Sequence, residues 1–219
     1  MVAIDYFTKW AEAASYVNVT SKVIAKFIRR ELICRYELPS RIITDNGKSL
    51  NNKVMTELCD EFKIQHHNSS PYHPKMNGAV EAANKNIKKI IQKMVVTYKD
   101  WHEMLPFSLH GYRTSVWTST GATPFALVYG MEAMLPFEVE IPFLRVLMET
   151  QLEEAKWVQA WRDQLNFIDE KRLVAVIHGQ LYQRRMKKAF DGKVRPREFQ
   201  ESDLVIRKIL PIQSDHRGK

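Results

Sequence analysis

The sequence predicts an α/β fold, and two observations lead to that prediction. Short apolar runs alternate with amphipathic stretches in the order strand, helix, strand, helix, strand as far as His67. Such alternation favours helices packed against a sheet. The length of 219 residues and the hydrophobic fraction of 45% suffice for one globular core with an appendage.

Turn and cap residues mark the elements of the first part of the chain. We predict a strand end at "VAID", a turn around Thr8 and Lys9, and a second strand. An amphipathic helix is predicted at "SKVIAKFIRRELICRY", with its start at Thr20 or Ser21. Only four residues precede Asp5, so the first strand is expected to be clipped. A strand, a helix and a strand are then predicted at "RIIT", "NNKVMTELCDEF" and "KIQHH".

The later segments predict further helices and two changes of composition. A polar loop, "NSSPYHPKMNG", leads into a long helix, "AVEAANKNIKKIIQKMVVTY". Thr123 and Pro124 are typical of a helix start. The expected divisions are a core at 1–145, a helical arm at 146–192 whose Trp157 and Trp161 share an apolar face, and the start of a truncated small β domain at 193–219.

The charge balance indicates a polyanionic partner. Thirty-three lysines and arginines against 25 acids give a formal charge of +8, which attracts nucleic acid without proving that it binds. Cys34 and Cys59 are too few for a disulfide framework, and we expect buried thiols in a reducing compartment. The sequence contains neither a membrane-spanning run nor a secretion signal, so an intracellular protein with no membrane partner is expected.

Three acids stand at positions that suit metal binding: Asp5 and Asp45 at predicted strand ends, and Glu81 in the first turn of the long helix. Phosphodiester chemistry commonly uses two divalent ions held by carboxylates. Asp5 and Asp45 can lie side by side only if their strands are neighbours in the sheet. The alternative is that Asp is a turn residue and that Glu81 complements the helix dipole.

Several motifs together resemble one known family. "VAIDYFTKW", "ITDNG", "SSPYHPKMNGAVEAANK" and "YRTSVWTSTGATPFALVYG" are similar to the DDE-type integrase core of gypsy-like long-terminal-repeat retrotransposons, and "LVYGMEAMLPFEVEIP" is similar to its plant members. The resemblance implies an RNase H-like mixed sheet flanked by helices, within a polyprotein. It also implies two Mg²⁺ or Mn²⁺ ions, DNA strand transfer in the nucleus, and a homo-oligomer with DNA as its partner.

The resemblance also implies roles for single residues. Asp5 would bridge both ions, Asp45 would hold one ion and Glu81 the other. Tyr72, His73 and Asn77 lie on the loop before Glu81, where they could touch a DNA end. Lys85, Lys88 and Lys89 are spaced to reach phosphates, with a solvated helix face as the equal alternative.

Some features depart from the family pattern. Relatives carry an N-terminal zinc module, for which this chain lacks the paired cysteines, and Leu50 and Ala79 replace the usual phenylalanine and glutamine. Because both ends are expected to be truncated, little activity is expected from the chain alone. An inactive remnant or co-opted nucleic-acid-binding module, and a nuclease that uses water, remain alternatives. Asn46 and Gly47 are expected to make a turn, and His66 and His67 to point to opposite faces of a strand.

Overall fold

The structure is a computed structural model that describes residues 1–69, 78–95, 100–133, 154–194, 200–202 and 204. Its strands are β1 (Val2–Ile4), β2 (Ala11–Ala13), β3 (Arg41–Thr44) and β4 (Gln65–Asn68). Its helices are α1 (Ser21–Phe27), α2 (Lys53–Glu61), α3 (Gly78–Met94), α4 (Leu105–Arg113), α5 (Pro124–Tyr129), α6 (Glu154–Asn166) and α7 (Ile168–Asp191), with a π-helical segment at Ile28–Ile33. No helix in these ranges is long and apolar enough to cross a membrane.

Side-chain caps determine where three helices begin. Thr20, Asn52 and Thr123 each accept a hydrogen bond from a backbone N–H of the first turn, at Val23, Met55 and Ala126, which satisfies a donor that the helix itself leaves unpaired. The predicted starts at Thr20 and at Thr123 with Pro124 are therefore confirmed.

The helix that begins at Ser21 differs from the prediction in its second half. The sequence predicts one amphipathic α-helix to about Tyr36, whereas the backbone widens to a π-helix from Ile28 to Ile33. Leu32 and Ile33 pack against the buried core from this wider segment. A wider turn changes which side chains face the core, so helical periodicity alone could not locate this change.

The strands within the described residues form two ribbons. In one, β1 and β2 are antiparallel with Ile4 opposite Ala11; in the other, β3 and β4 are parallel with Thr44 opposite Asn68. Within the described residues, no backbone pairing joins β1 to β3. The predicted strands at "RIIT" and "KIQHH" are confirmed, but their ribbon is not paired with the first one.

Helices cover both faces of the β1–β2 ribbon. Ala3 packs against a buried cluster of α1, the π-helical segment and α2 that includes Phe27 and Leu58. Val2 and Ile4 pack against a second cluster, built from α3 and α4. Neighbouring residues of a strand point to opposite faces, so β1 separates two helical layers, which is the α/β arrangement that the sequence predicts.

A buried acid, Glu12 of β2, links the ribbon to helix α4. Its side chain is 5% exposed and lies 2.8 Å from Nη2 of Arg113. Trp10 donates its indole N–H to the carboxylate at 3.0 Å, and the Tyr36 hydroxyl donates to it as well. Arg35 approaches at 3.4 Å from a half-exposed position. Charged and neutral donors therefore surround a carboxylate that would be costly to bury alone.

The N-terminal end of helix α7 donates hydrogen bonds to the C-terminal end of α5. Lys171 Nζ donates to the Gly130 carbonyl at 2.6 Å, and Arg172 Nε donates to the Leu127 carbonyl at 3.0 Å. Gly130 has a φ of 80°, a left-handed conformation that glycine adopts without strain. Two cations thus satisfy carbonyls at the helix end where the dipole is negative.

The chain divides into two compact units, Met1–Tyr182 and Gln183–Lys219. The predicted boundaries at 145 and 192 stay predictions. In the first unit, Trp157 and Trp161 of α6 are stacked, with ring planes 5° apart. Both are nearly half exposed, so their helical spacing does not bury them among the described residues.

We expect Arg113→Met to lower the free energy of unfolding by about 3–5 kcal/mol, because it leaves the buried Glu12 carboxylate without its closest cation. Arg35→Met is the matched control, since that guanidinium is half exposed and exposed pairs contribute about 0–1 kcal/mol. Urea denaturation of both variants measures the difference. Equal losses of unfolding free energy in the two variants would show that Arg113 is not the main partner of the Glu12 carboxylate.

Two tyrosines offer a second comparison. Burial raises the pKa of Tyr112, whose hydroxyl has no hydrogen-bond partner in the described structure. Burial and the Glu12 carboxylate raise the pKa of Tyr36, whose hydroxyl donates to that acid. We expect Tyr112→Phe to stabilise the fold by about 1 kcal/mol, and Tyr36→Phe to destabilise it by about 1.5–3 kcal/mol.

The midpoints of urea unfolding curves for the two variants test this pair. If Tyr112→Phe destabilised the protein as much as Tyr36→Phe, the Tyr112 hydroxyl would have a partner that the structure does not show.

Candidate active site

Asp5 directly follows β1 and makes a tight turn. Its Oδ2 accepts hydrogen bonds from the backbone N–H of Thr8 at 2.8 Å and from the Thr8 hydroxyl at 2.5 Å. Its N–H donates to the Trp10 carbonyl at 2.8 Å, and Lys9 takes a left-handed φ of 63°. The predicted turn at Thr8 and Lys9 is therefore confirmed. The Asp5 carboxylate helps to form this turn, as in the alternative interpretation from the sequence.

Asp45 directly follows β3 and is exposed. Its Oδ1 accepts a hydrogen bond from the N–H of Gly47 at 2.9 Å. A Cβ placed on Gly47 would lie 2.9 Å from the same oxygen, closer than real Cβ atoms approach. Glycine at position 47 thus allows the carboxylate to fold over the following backbone.

The residue before Asp45 fixes the end of its strand. Thr44 is buried, and its Oγ1 lies 2.8 Å from His66 Nε2 and 3.1 Å from Asn68 Oδ1 on β4. Burial, and then the neighbouring His67, lower the pKa of His66, which favours a neutral ring at this contact. These contacts hold β3 and β4 together at the point where Asp45 leaves the sheet.

Glu81 lies in the first turn of α3 and is exposed. Lys85, Lys88 and Lys89 follow it by four, seven and eight residues, are exposed, and share its face of the helix. Ala83 and Ile87 face the second buried cluster instead. Helix α3 therefore has one buried stripe and one cationic side.

The remaining predicted site residues, Tyr72, His73 and Asn77, lie outside the described residues. In the part of the chain that the structure describes, no group of three His, Cys, Asp or Glu side chains could hold a metal ion. Within the same ranges, the strands that would bring Asp5 and Asp45 together are not paired. The assignment of Asp5, Asp45 and Glu81 as metal ligands therefore stays a prediction.

The donor chemistry of the three acids nevertheless suits a hard divalent cation. Each offers carboxylate oxygens at an exposed position, and Mg²⁺ and Mn²⁺ prefer such ligands. The hydrogen bonds of the described residues occupy Oδ2 of Asp5 and Oδ1 of Asp45. The second oxygen of each carboxylate accepts none of these bonds, so it is available to a cation without loss of the turn.

Sequence reasoning missed the residues that support the acids: Thr8, Thr44, Glu12 and Arg113. Thr8 lies within three residues of its acid, so its contact belongs to a local turn pattern that could have been recognised. Glu12 interrupts an apolar run, which is a usable signal of a buried charge. Its partner Arg113 lies far along the chain, and nothing local identifies it.

Comparisons with known proteins find one family model and two viral polyproteins that are similar to this chain. Residues 1–74 match the family model described as Integrase core domain. The chain is 32% identical over 133 residues to the Gag-Pol polyprotein of Avian reticuloendotheliosis virus, covering 60% of this chain and 12% of that protein. It is 33% identical over 132 residues to the Gag-Pol polyprotein of Feline leukemia virus, and this match covers 59% of this chain and 8% of that protein.

A solved structure is also similar. A chain from the cryo-EM structure of the simian T-cell lymphotropic virus intasome in complex with PP2A regulatory subunit B56 gamma matches with a TM-score of 0.51 and 23% identity. The match covers 62% of this chain and 49% of that one. The predicted fold class is confirmed as RNase H-like α/β. Residues 1–74 are thus similar to an integrase core domain, and the chain spans about a tenth of the length of the polyproteins above.

We expect Gly47→Ala to lower the free energy of unfolding by about 0.5–1.5 kcal/mol, because the new Cβ forces the Asp45 carboxylate away from its hydrogen bond. Gly111→Ala in α4 is the matched control, since a Cβ there meets no atom within 4 Å and alanine favours a helix.

A double variant isolates the contact. When Asp45→Ala is already present, adding Gly47→Ala is expected to leave the free energy of unfolding almost unchanged. Urea unfolding of the wild type, the two single variants and the double variant measures the coupling energy between the two positions. Additive losses would show that the cost of the Gly47→Ala substitution does not come from its clash with Asp45.

Proposed function

We propose that this chain is the catalytic core of an integrase that joins a donor DNA 3′-hydroxyl to target DNA by transesterification. The observation that carries the proposal is the match of residues 1–74 to the integrase core domain, a range that includes both Asp5 and Asp45. The RNase H-like fold and the exposed acids at two strand ends support it. No protein nucleophile is needed, because DNA supplies the attacking oxygen.

Asp5, Asp45 and Glu81 are the proposed ligands of two Mg²⁺ or Mn²⁺ ions. When bound, such ions activate the attacking oxygen and stabilise the leaving oxygen of a phosphodiester. The chain's own residues orient the carboxylates: Thr8 holds Oδ2 of Asp5, and the Gly47 N–H holds Oδ1 of Asp45. Each hydrogen bond limits the rotation of its acid, which reduces the ordering needed when a ligand arrives.

Helix α3 is the proposed DNA contact beside these acids. Lys85, Lys88 and Lys89 carry positive charge on the face that bears Glu81, where they would hold phosphates and so orient a DNA end. Tyr72, His73 and Asn77 are proposed to contact the same DNA from the loop before α3. Ala83 and Ile87, on the opposite face of α3, are buried and cannot take part.

The source and setting are also proposed. The "LVYGMEAMLPFEVEIP" tail supports a gypsy-like long-terminal-repeat retrotransposon of a plant, whose polyprotein would contain this core. The similarity to a chain of a viral intasome supports a homo-oligomer on DNA. Insertion into genomic DNA would place the activity in the nucleus.

A strand-transfer assay tests the function, with the 219-residue chain, Mn²⁺ and duplex DNA that ends in a free 3′-hydroxyl. We expect Asp45→Asn and Glu81→Gln to reduce the rate by about 10²–10³-fold, the range for losing a group that stabilises transition-state charge. Asp60→Asn, which removes an exposed acid at the end of α2, is the matched control and is expected to retain the rate.

The outcomes separate the alternatives. Wild-type activity no higher than that of Asp45→Asn would contradict the proposal, and DNA binding unchanged in the same variant would then favour a co-opted binding module. Cut but unjoined DNA would indicate a nuclease. Full activity of Asp5→Asn would show that a residue other than Asp5 provides the first carboxylate.

A further inference from the structure

The last turns of α7 carry a dense cationic face outside the candidate active site. Its members, which we call the α7 basic face, are Arg184, Arg185, Lys187 and Lys188. All four are exposed, and they belong to the compact unit that begins at Gln183. From residue 183 to residue 191, the single acid is Asp191.

Helical geometry gathers the four cations on one side. At about 100° per residue, Arg184 and Lys188 lie about 40° apart, and Arg185 and Lys187 flank them within an arc of about 160°. Met186 and Phe190, both more than half exposed, fall outside this arc. The helix end therefore has a charged face and a narrower apolar one.

No hydrogen bond or ion pair in the described structure engages these four side chains. The contrast within α7 is clear, because Lys171 and Arg172 donate to carbonyls of the first unit and Arg172 also approaches Asp169. Cations early in the helix thus have structural partners. Among the described residues, the cations of the α7 basic face have no such structural partner. No contact within the fold therefore explains why four of them lie together.

The density of charge identifies the kind of partner. Arg184 to Lys188 rise about 6 Å along the helix axis at 1.5 Å per residue, and duplex DNA presents one phosphate charge per about 1.7 Å of its axis. Four cations therefore meet about the same number of phosphates over an equal length. A lipid surface would need a wider apolar face than Met186 and Phe190 supply.

We propose that the α7 basic face binds the phosphate backbone of nucleic acid without reading its sequence, as a contact separate from α3. The inference rests on the proposed function for the identity of the polyanion, DNA, but it requires no metal and no catalysis. Binding measured in EDTA therefore tests the contact even if the chain has no strand-transfer activity.

The experiment measures the affinity of the 219-residue chain for a fluorescent 30-base-pair duplex, in EDTA, from 50 to 300 mM KCl. Each phosphate contact contributes about 0.9 to the slope of log affinity against log salt. Changing Arg184, Arg185, Lys187 and Lys188 to Gln is expected to make the slope shallower by about 3–4 and to weaken binding at 100 mM KCl by more than 10²-fold.

The matched control removes four exposed cations elsewhere, with Lys22, Lys26, Arg30 and Lys63 changed to Gln. It has the same net charge and is expected to change the slope by less than 1. A charge-retaining variant, with Arg184 and Arg185 changed to Lys, is expected to keep the wild-type slope. Circular dichroism checks that each variant keeps the wild-type helical content.

Three outcomes would overturn the proposal. Equal losses in the two four-site variants would show that only net charge matters, and an unchanged slope in the α7 variant would show that the face does not touch DNA. If the four-site α7 variant lost binding to vesicles of phosphatidylserine and phosphatidylcholine but kept wild-type DNA binding, the face would be assigned to a membrane surface. If Asp45→Asn lost strand transfer but its DNA affinity kept the wild-type salt slope, the result would support the proposed function. It would also show that DNA binding by the α7 basic face does not depend on catalysis.

Discussion

The Glu12–Arg113 ion pair is the contact on which the arrangement of the first unit depends. It joins β2 to the end of α4, and the Arg113 guanidinium also donates to the Ala11 carbonyl and lies 4.2 Å from the centre of the Trp10 ring. One side chain therefore contacts three successive residues, Trp10 to Glu12. A buried pair of this kind often contributes less to net stability than apolar packing of similar volume would, but the loss of either partner leaves a buried group uncompensated.

The Arg113 side chain is connected to the candidate site through Trp10. Trp10 accepts the N–H of Asp5 across the turn, so the residue that Arg113 covers is also the one that closes the Asp5 turn. At the other acid, buried Thr44 performs a comparable role through its contacts with β4. In both places a threonine hydroxyl, rather than a large side chain, holds the backbone next to an exposed carboxylate.

How much could be predicted from the sequence depends on how local each feature is. Helix starts at Thr20 and Thr123, the turn at Lys9 and the cationic side of α3 follow from residues within one or two turns. The π-helical segment and the exposure of Trp157 and Trp161 depend on tertiary packing that spacing does not encode. Arg113 reaches Ala11 across 102 residues, and no local pattern specifies such a partner. The same limit applies to the candidate site: each acid was found from its position at a strand or helix end, but whether the acids meet depends on strand pairing, which short apolar runs do not specify.

The division into two ribbons has a consequence for the outer side of β3. Its peptide groups on the side away from β4 pair with no strand of the described structure, and such an edge is a template for another extended segment. Any segment that hydrogen-bonded there would run about 4.8 Å from β3, and so would bring its own side chains next to Thr44 and Asp45. The chemical neighbourhood of Asp45 is therefore decided by what occupies that edge as much as by the residues already beside it.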